Sequence, residues 1–156
     1  MSRRRKQVER EILPDPKFNS VVLSKFINTL MLAGKKSLAE NIIYGALDIL
    51  AEKTGKDPLE VFTEALANAR PLIKVVSRRI GGANYQVPTE VTAKNAQAMA
   101  FRWVITFARK RSENTMTERL AAELLGCYKK EGSTIKKRED THKMAEANKA
   151  FAHFRV

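Results

Sequence analysis

The sequence predicts a mainly α-helical fold, a single domain of about six helices with one projecting β-hairpin and a basic, extended N-terminal arm. Three observations predict it. Apolar residues recur at helical spacing through most of the 156 residues, with helix-start residues where the stripes begin. At 72–80 the pattern changes to a β-branched run that ends in Gly81-Gly82. Towards both ends of the chain the stripe fades and Lys and Arg accumulate. With 44% hydrophobic residues, a chain of this length fills one ordinary domain and falls short of two.

Residues 1–18 carry little periodicity and hold Pro14 and Pro16 two apart, which reads as an arm that orders mainly on a partner. The block 19–70 holds three helices. Asn19 or Ser20 caps the first, whose stripe is Val22, Phe26, Ile27, Leu30 and Met31 until Gly34 stops it. Ser37 and Glu40 have capping-box spacing for the second, with Leu38, Ile42, Ile43, Ala46, Leu47 and Leu50 as its stripe and Gly55 beyond its end. Asp57 as cap and Pro58 at the first helical position open the third, which buries Phe62, Ala65, Leu66 and Ala69 before Pro71.

Residues 72–88 form the hairpin, with LIKVVSRRI as one strand, the two glycines as its reversal and Tyr85, Gln86 and Val87 as a short return before Pro88. Alternation puts Ile73, Val75, Ser77 and Arg79 on one face and Leu72, Lys74, Val76, Arg78 and Ile80 on the other. Neither face stays apolar toward the tip. The block 92–128 holds helices four and five: Thr92 caps a stripe of Ala96, Met99, Ala100, Trp103, Val104 and Phe107, and Thr115 with Glu118 forms a capping box ahead of Leu120, Ala121, Leu124, Leu125 and Tyr128. Trp103 and Cys127 fall within these stripes and read as core. Residues 129–156 are a basic helix and tail; 134–150 can be helical, but Ile135, Met144 and a few alanines make a poor stripe, so its own domain holds it weakly.

The formal net charge of +12 is unevenly placed. Residues 1–10, 70–89 and 129–156 are each net +4, while 11–69 is −2 and 90–128 is +2. A near-neutral helical body with three basic projections fits a polyanion, because Lys and Arg displace counterions from phosphates. The spread over an arm, a hairpin and a tail speaks against a DNA-reading protein, which concentrates its cations on one recognition helix. No apolar run approaches the roughly 18 residues that cross a bilayer, and MSRRRKQVERE lacks a signal core. A cytoplasmic location and no membrane partner are expected.

Enzymatic chemistry finds no support. The two histidines, His142 and His153, lie near the end of the chain and the single cysteine is Cys127, so no zinc-ligand spacing exists and no intrachain disulfide can form. Gly34, Lys35 and Lys36 lack the glycine spacing and the strand of a phosphate-binding loop. No cofactor and no metal are expected.

Several stretches resemble the family of protein seven of the small ribosomal subunit. They are Arg3-Arg4-Arg5-Lys6, Lys25-Phe26-Ile27-Asn28 through Met31 to Gly34-Lys35-Lys36, and Ser77-Arg78-Arg79-Ile80-Gly81-Gly82-Ala83-Asn84-Tyr85-Gln86-Val87-Pro88. Arg102-Trp103 and Met144-Ala145-Glu146-Ala147-Asn148-Lys149-Ala150-Phe151-Ala152-His153 extend the likeness to the end of the chain. The resemblance implies a non-catalytic structural constituent of the small ribosomal subunit that binds the three-prime major domain of its RNA and nucleates head assembly. It also implies exit-site transfer RNA, the messenger path and small-subunit proteins nine and eleven as neighbours, without self-association.

Under that resemblance the basic residues become candidate ribosomal-RNA contacts. In the arm these are Arg3, Arg4, Arg5, Lys6 and Arg10; in helix one and the turn after it, Lys25, Lys35 and Lys36; in the hairpin, Lys74, Arg78 and Arg79. Helix four and its end supply Lys94, Arg102, Arg109 and Lys110, and the C-terminal helix Lys136 and Lys137. The hairpin tip, Arg78, Arg79, Gly81, Gly82, Ala83, Asn84 and Tyr85, is expected beside transfer RNA and messenger, with Tyr85 able to stack on an exposed base.

Overall fold

The computed structural model of the chain describes residues 11–154. Six α-helices, α1 (Val21–Leu30), α2 (Lys36–Thr54), α3 (Pro58–Ala69), α4 (Ala93–Arg109), α5 (Met116–Tyr128) and α6 (Ser133–Ala147), enclose the core. An antiparallel hairpin, β1 (Ile73–Ile80) and β2 (Ala83–Glu90), stands between α3 and α4, and a 3-10 helix, Lys149–Phe154, closes the described chain.

Ser20 caps α1, its hydroxyl accepting the Leu23 amide at 3.4 Å, and Asp57 caps α3 by accepting from the Glu60 amide at 3.2 Å with Pro58 in the first turn. The capping box of α5 is complete, Thr115 and Glu118 each accepting the other's amide at 3.2 Å. Helix α2 departs from expectation. The turn Leu32–Lys35 delivers the chain already helical at Lys36, so Lys35 stands at the cap without a side-chain bond and the Ser37–Glu40 spacing goes unused; Glu40 pairs with Lys36 at 3.7 Å instead. Leu38 is 53% exposed, because the buried stripe is Ala39, Ile43, Ala46, Leu47 and Leu50. Thr92 occupies the cap of α4, likewise without a side-chain bond.

The stripe of α4 is also rotated from the one expected. Ala96, Ala100, Phe101, Val104, Ile105 and Ala108 are buried, while Met99, Trp103 and Phe107 are half-buried at its edge. The sequence leaves this choice open because α4 has apolar residues on two adjoining faces. Phe101 decides it: Phe26 packs edge-on against both Phe101 and Phe62, at centroid separations of 5.2 and 5.3 Å, and so ties α1, α3 and α4 together. Cys127 is buried in the same core, and burial pushes its thiol up to about 12.

The N-terminal segment joins the body earlier than the arm boundary at 18 suggested. Asp15 is buried; its Oδ1 accepts from the Tyr44 hydroxyl at 2.7 Å and its Oδ2 from the Lys17 and Phe18 amides at 3.1 Å, while Phe18 packs on Tyr44.

The hairpin reverses in two residues, Gly81 at φ 57° and Gly82 at φ 89°, the positive values that a type I′ turn needs at both centres. Its return strand runs past Pro88 to Glu90. Pairing explains why the proline is tolerated. The Val91 amide bonds the Leu72 carbonyl at 3.0 Å, so hydrogen-bonded pairs fall at every second position from there, and Val75↔Pro88 is one of the intervening pairs that exchange no bonds.

Helix α6 ends at Ala147, with the 3-10 helix following, and is not weakly held. Thr134 anchors its first turn on the buried Glu123 carboxylate, its amide donating at 3.1 Å and its hydroxyl at 2.6 Å. Arg138 donates to the Asn68 carbonyl, and His142 Nε2 accepts the Leu72 amide at 3.0 Å. A stripe count misses this attachment because the hooks are polar.

Candidate nucleic-acid interface

Helices α1 and α4 cross over the Phe26–Phe101 contact, and their outward edges form a groove of about 420 Å³. Lys25, Asn28 and Thr29 line it from α1, at i, i+3 and i+4; Lys94, Gln97, Ala98, Phe101 and Arg102 line it from α4, at i, i+3, i+4, i+7 and i+8. Two helical stripes thus face each other, with Phe101 as floor and Ile12 at one end. Among the described residues no carboxylate lines this groove, whereas three cations do. Gln97 adds an amide nitrogen that is buried without a hydrogen-bond partner among the described residues.

Of the expected RNA contacts, then, Lys25, Lys94 and Arg102 come together although they lie far apart in sequence. Asn28, Thr29 and Gln97 were not singled out from the sequence; their signal was the three- and four-residue spacing from Lys25 and Lys94. Such a groove suits phosphate groups: Lys and Arg supply charge, and Asn and Gln supply amide donors on rigid helices.

A second basic rim lies at the α1–α2 turn. Lys35 and Arg109 border an apolar pocket of about 310 Å³ that includes Leu32, Leu38 and Met116, and Arg109 also donates to the Leu30 carbonyl at 3.2 Å at the end of α1. Lys36 is exposed beside Glu40, and Lys110 lies 5.7 Å from the centre of the Phe107 ring. Lys136 and Lys137 are exposed on α6. Arg3, Arg4, Arg5, Lys6 and Arg10 lie outside the described residues.

The hairpin residues divide by face. Arg79 pairs with Asn84 on the exposed face; Lys74, Arg78 and Tyr85 are half-buried on the other, where Arg78 stands opposite Tyr85. Tyr85 packs on Phe151 of the 3-10 helix at 5.4 Å, so the C-terminal segment covers this face. Gly81, Gly82, Ala83 and Asn84 form the exposed tip.

Two basic residues outside these surfaces, Arg111 and Lys56, have structural partners. Arg111 bonds Glu113 at 2.9 Å and Glu123 at 3.1 Å, and the hydrogen bond from Arg111 holds the Glu113 carboxyl below its usual range. Lys56 donates to the Tyr128 hydroxyl at 2.8 Å. Among the described residues no group of three or more His, Cys, Asp or Glu side chains is placed to hold a metal ion, and no helix is long and apolar enough to cross a membrane.

Residues 2–149 match the family described as ribosomal protein S7p/S5e. The chain is 60% identical to the small ribosomal subunit protein uS7 of Nitrobacter winogradskyi over 155 residues, covering 99% of each chain. Its likeness to the proteins of the same name from Rhodospirillum centenum and Nitrosomonas europaea is 61% identity, again over 99% of each chain. A match along nearly the whole chain, together with six helices and one hairpin, makes this chain a member of the ribosomal protein S7p/S5e family.

Proposed function

We propose that this chain binds the three-prime major domain of small-subunit ribosomal RNA directly and nucleates folding of the subunit head, with the α1–α4 groove as a central phosphate-binding surface. Family membership already makes it a non-enzymatic structural constituent of the small ribosomal subunit, acting in the cytoplasm as part of the ribosome. The observation that carries the finer reading is the convergence of Lys25, Lys94 and Arg102 on one groove over a rigid aromatic floor. The arm and the C-terminal helix would extend the contact, and the hairpin tip would reach exit-site transfer RNA and the messenger path. Proteins nine and eleven of the small subunit would be its protein neighbours.

Recognition of this kind rests on phosphate and shape rather than base edges, so binding must depend steeply on salt. Neutralising on the order of eight phosphates gives a log-log slope of roughly −6 to −7. Titration against isolated three-prime-domain RNA over a salt series measures it, and Lys25→Ala with Arg102→Ala should bring the slope about 2 closer to zero. A slope near zero in the unaltered protein, or a footprint confined to other domains of the RNA, overturns the reading.

A further inference from the structure

We propose that Asp15 and Tyr44 are positioning residues for RNA binding: their latch holds the start of the basic arm at the end of the α1–α4 groove, so that arm and groove grip one stretch of RNA backbone together. The inference rests on the RNA-binding reading and adds to it two residues that act through the arm.

Residues 1–10 hold five bases and one acid and join the body through Glu11 and Ile12. Ile12 lies at the end of the groove that Lys25, Lys94 and Arg102 line. The charge of the arm is thus tethered beside the charge of the groove, and a single polyanion seated there can be neutralised by both. Such paired contacts strengthen each other only when the tether starts from a place that lets both engage at once.

The latch sets that place. Asp15, three residues after Ile12, is the buried residue nearest the arm among those described. Its Oδ1 accepts from the Tyr44 hydroxyl at 2.7 Å and its Oδ2 from the Lys17 and Phe18 amides at 3.1 Å. Lys17 lies 5.4 Å from the centre of the Phe18 ring and 5.1 Å from that of Tyr44, and it pairs at 3.8 Å with Asp48, one turn beyond Tyr44 on α2. The stretch between latch and groove is stiff enough to transmit this anchor. A proline fixes its own φ at about −65° and keeps the residue before it extended, and in Leu13-Pro14-Asp15-Pro16 every residue is restricted in one of these ways.

The test measures affinity of the full chain for isolated three-prime-domain RNA in two backgrounds, the natural arm and an arm neutralised by Arg3→Gln, Arg4→Gln, Arg5→Gln, Lys6→Gln and Arg10→Gln. With the natural arm, Tyr44→Phe should weaken binding about three- to fivefold and Asp15→Ala about tenfold, the part of the tethered gain that placement supplies. With the neutralised arm, either change should cost less than about twofold, since the latch then has no charge to place. The salt slope separates placement from charge: Tyr44→Phe should leave it unchanged, whereas neutralising the arm should bring it about 4 closer to zero. Tyr44→Phe keeps the ring beside Phe18 and carries the test where Asp15→Ala loses its circular-dichroism helix signal. Equal losses in both backgrounds overturn the proposal, because the latch then acts through the stability of the body, and so does no loss with the natural arm. If the unaltered chain fails to bind this RNA, the RNA reading fails and the latch with it; if it binds and neutralising the arm weakens it, but the latch variants do not, the positioning role fails alone.

Discussion

Helix α5 buries Leu120, Ala121, Leu124 and Cys127 against α2, α3 and α4, whereas α6, which follows it after a short turn, buries Thr134, Ile135, Thr141 and Ala145 and relies on polar hooks. The two attachments fail differently. An apolar contact loses stability in proportion to the volume removed, spread through the core it shares. A buried polar hook loses little when both partners go, but much when one is left without the other. The N-terminal segment uses the second device as well, with Asp15 held by the Tyr44 hydroxyl. The helical body of this chain is therefore held by apolar packing, and the described segments on either side of it are fastened to it by specific hydrogen bonds.

Leu124→Ala should show the largest effect, about 3 kcal/mol, since the side chain is fully buried and its loss leaves a cavity. Chemical denaturation should show one cooperative transition moved as a whole; a loss under about 1 kcal/mol would mean that α5 is not the centre of the core. Glu123→Ala should cost less, about 2 kcal/mol, because the carboxylate is buried but its partner Arg111 keeps 35% of its side chain exposed. Its signature is local: amide exchange should rise first in α6, and equal acceleration in α3 would break the contrast between the helices.

The smallest effect belongs to Tyr44. Burial, then the bond to Asp15, pushes its hydroxyl up to about 12 from the ordinary 10. A folded-state value above the unfolded one means that the bond's contribution is complete below pH 10 and disappears as pH rises through about 12. Tyr44→Phe should cost about 1 kcal/mol at neutral pH and should flatten the alkaline decline over that window. An identical decline in both proteins would assign it to other groups.

How much of this was legible in sequence depends on whether the interaction is local. Ser20, Asp57 and Thr115 act on amides three residues away, so their caps could be read directly. The hairpin turn was equally plain from Gly81 and Gly82. Leu38 and Trp103 misled because each adjoins a true buried stripe, and only the partner helix settles which neighbour turns inward. The groove was half legible: Lys25, Lys94 and Arg102 were marked by charge, but their meeting depends on the Phe26–Phe101 crossing between residues 75 positions apart in the chain. The hold on α6 was hidden for the same reason, since Glu123, Asn68 and Leu72 reach it from other elements.

The two-residue turn also sets a rule of parity for the hairpin's length. Counting from the Leu72–Val91 bond, the pair that closes the turn, Ile80↔Ala83, is a hydrogen-bonded one. One residue added to each strand would place Gly81-Gly82 on a pair that exchanges no bonds and would carry the tip side chains to the opposite face. Two added to each strand would restore both. The hairpin can therefore grow or shrink across relatives only in steps of four residues while keeping its turn and its faces. Its reach, at about 3.4 Å per residue, changes in steps of roughly 7 Å.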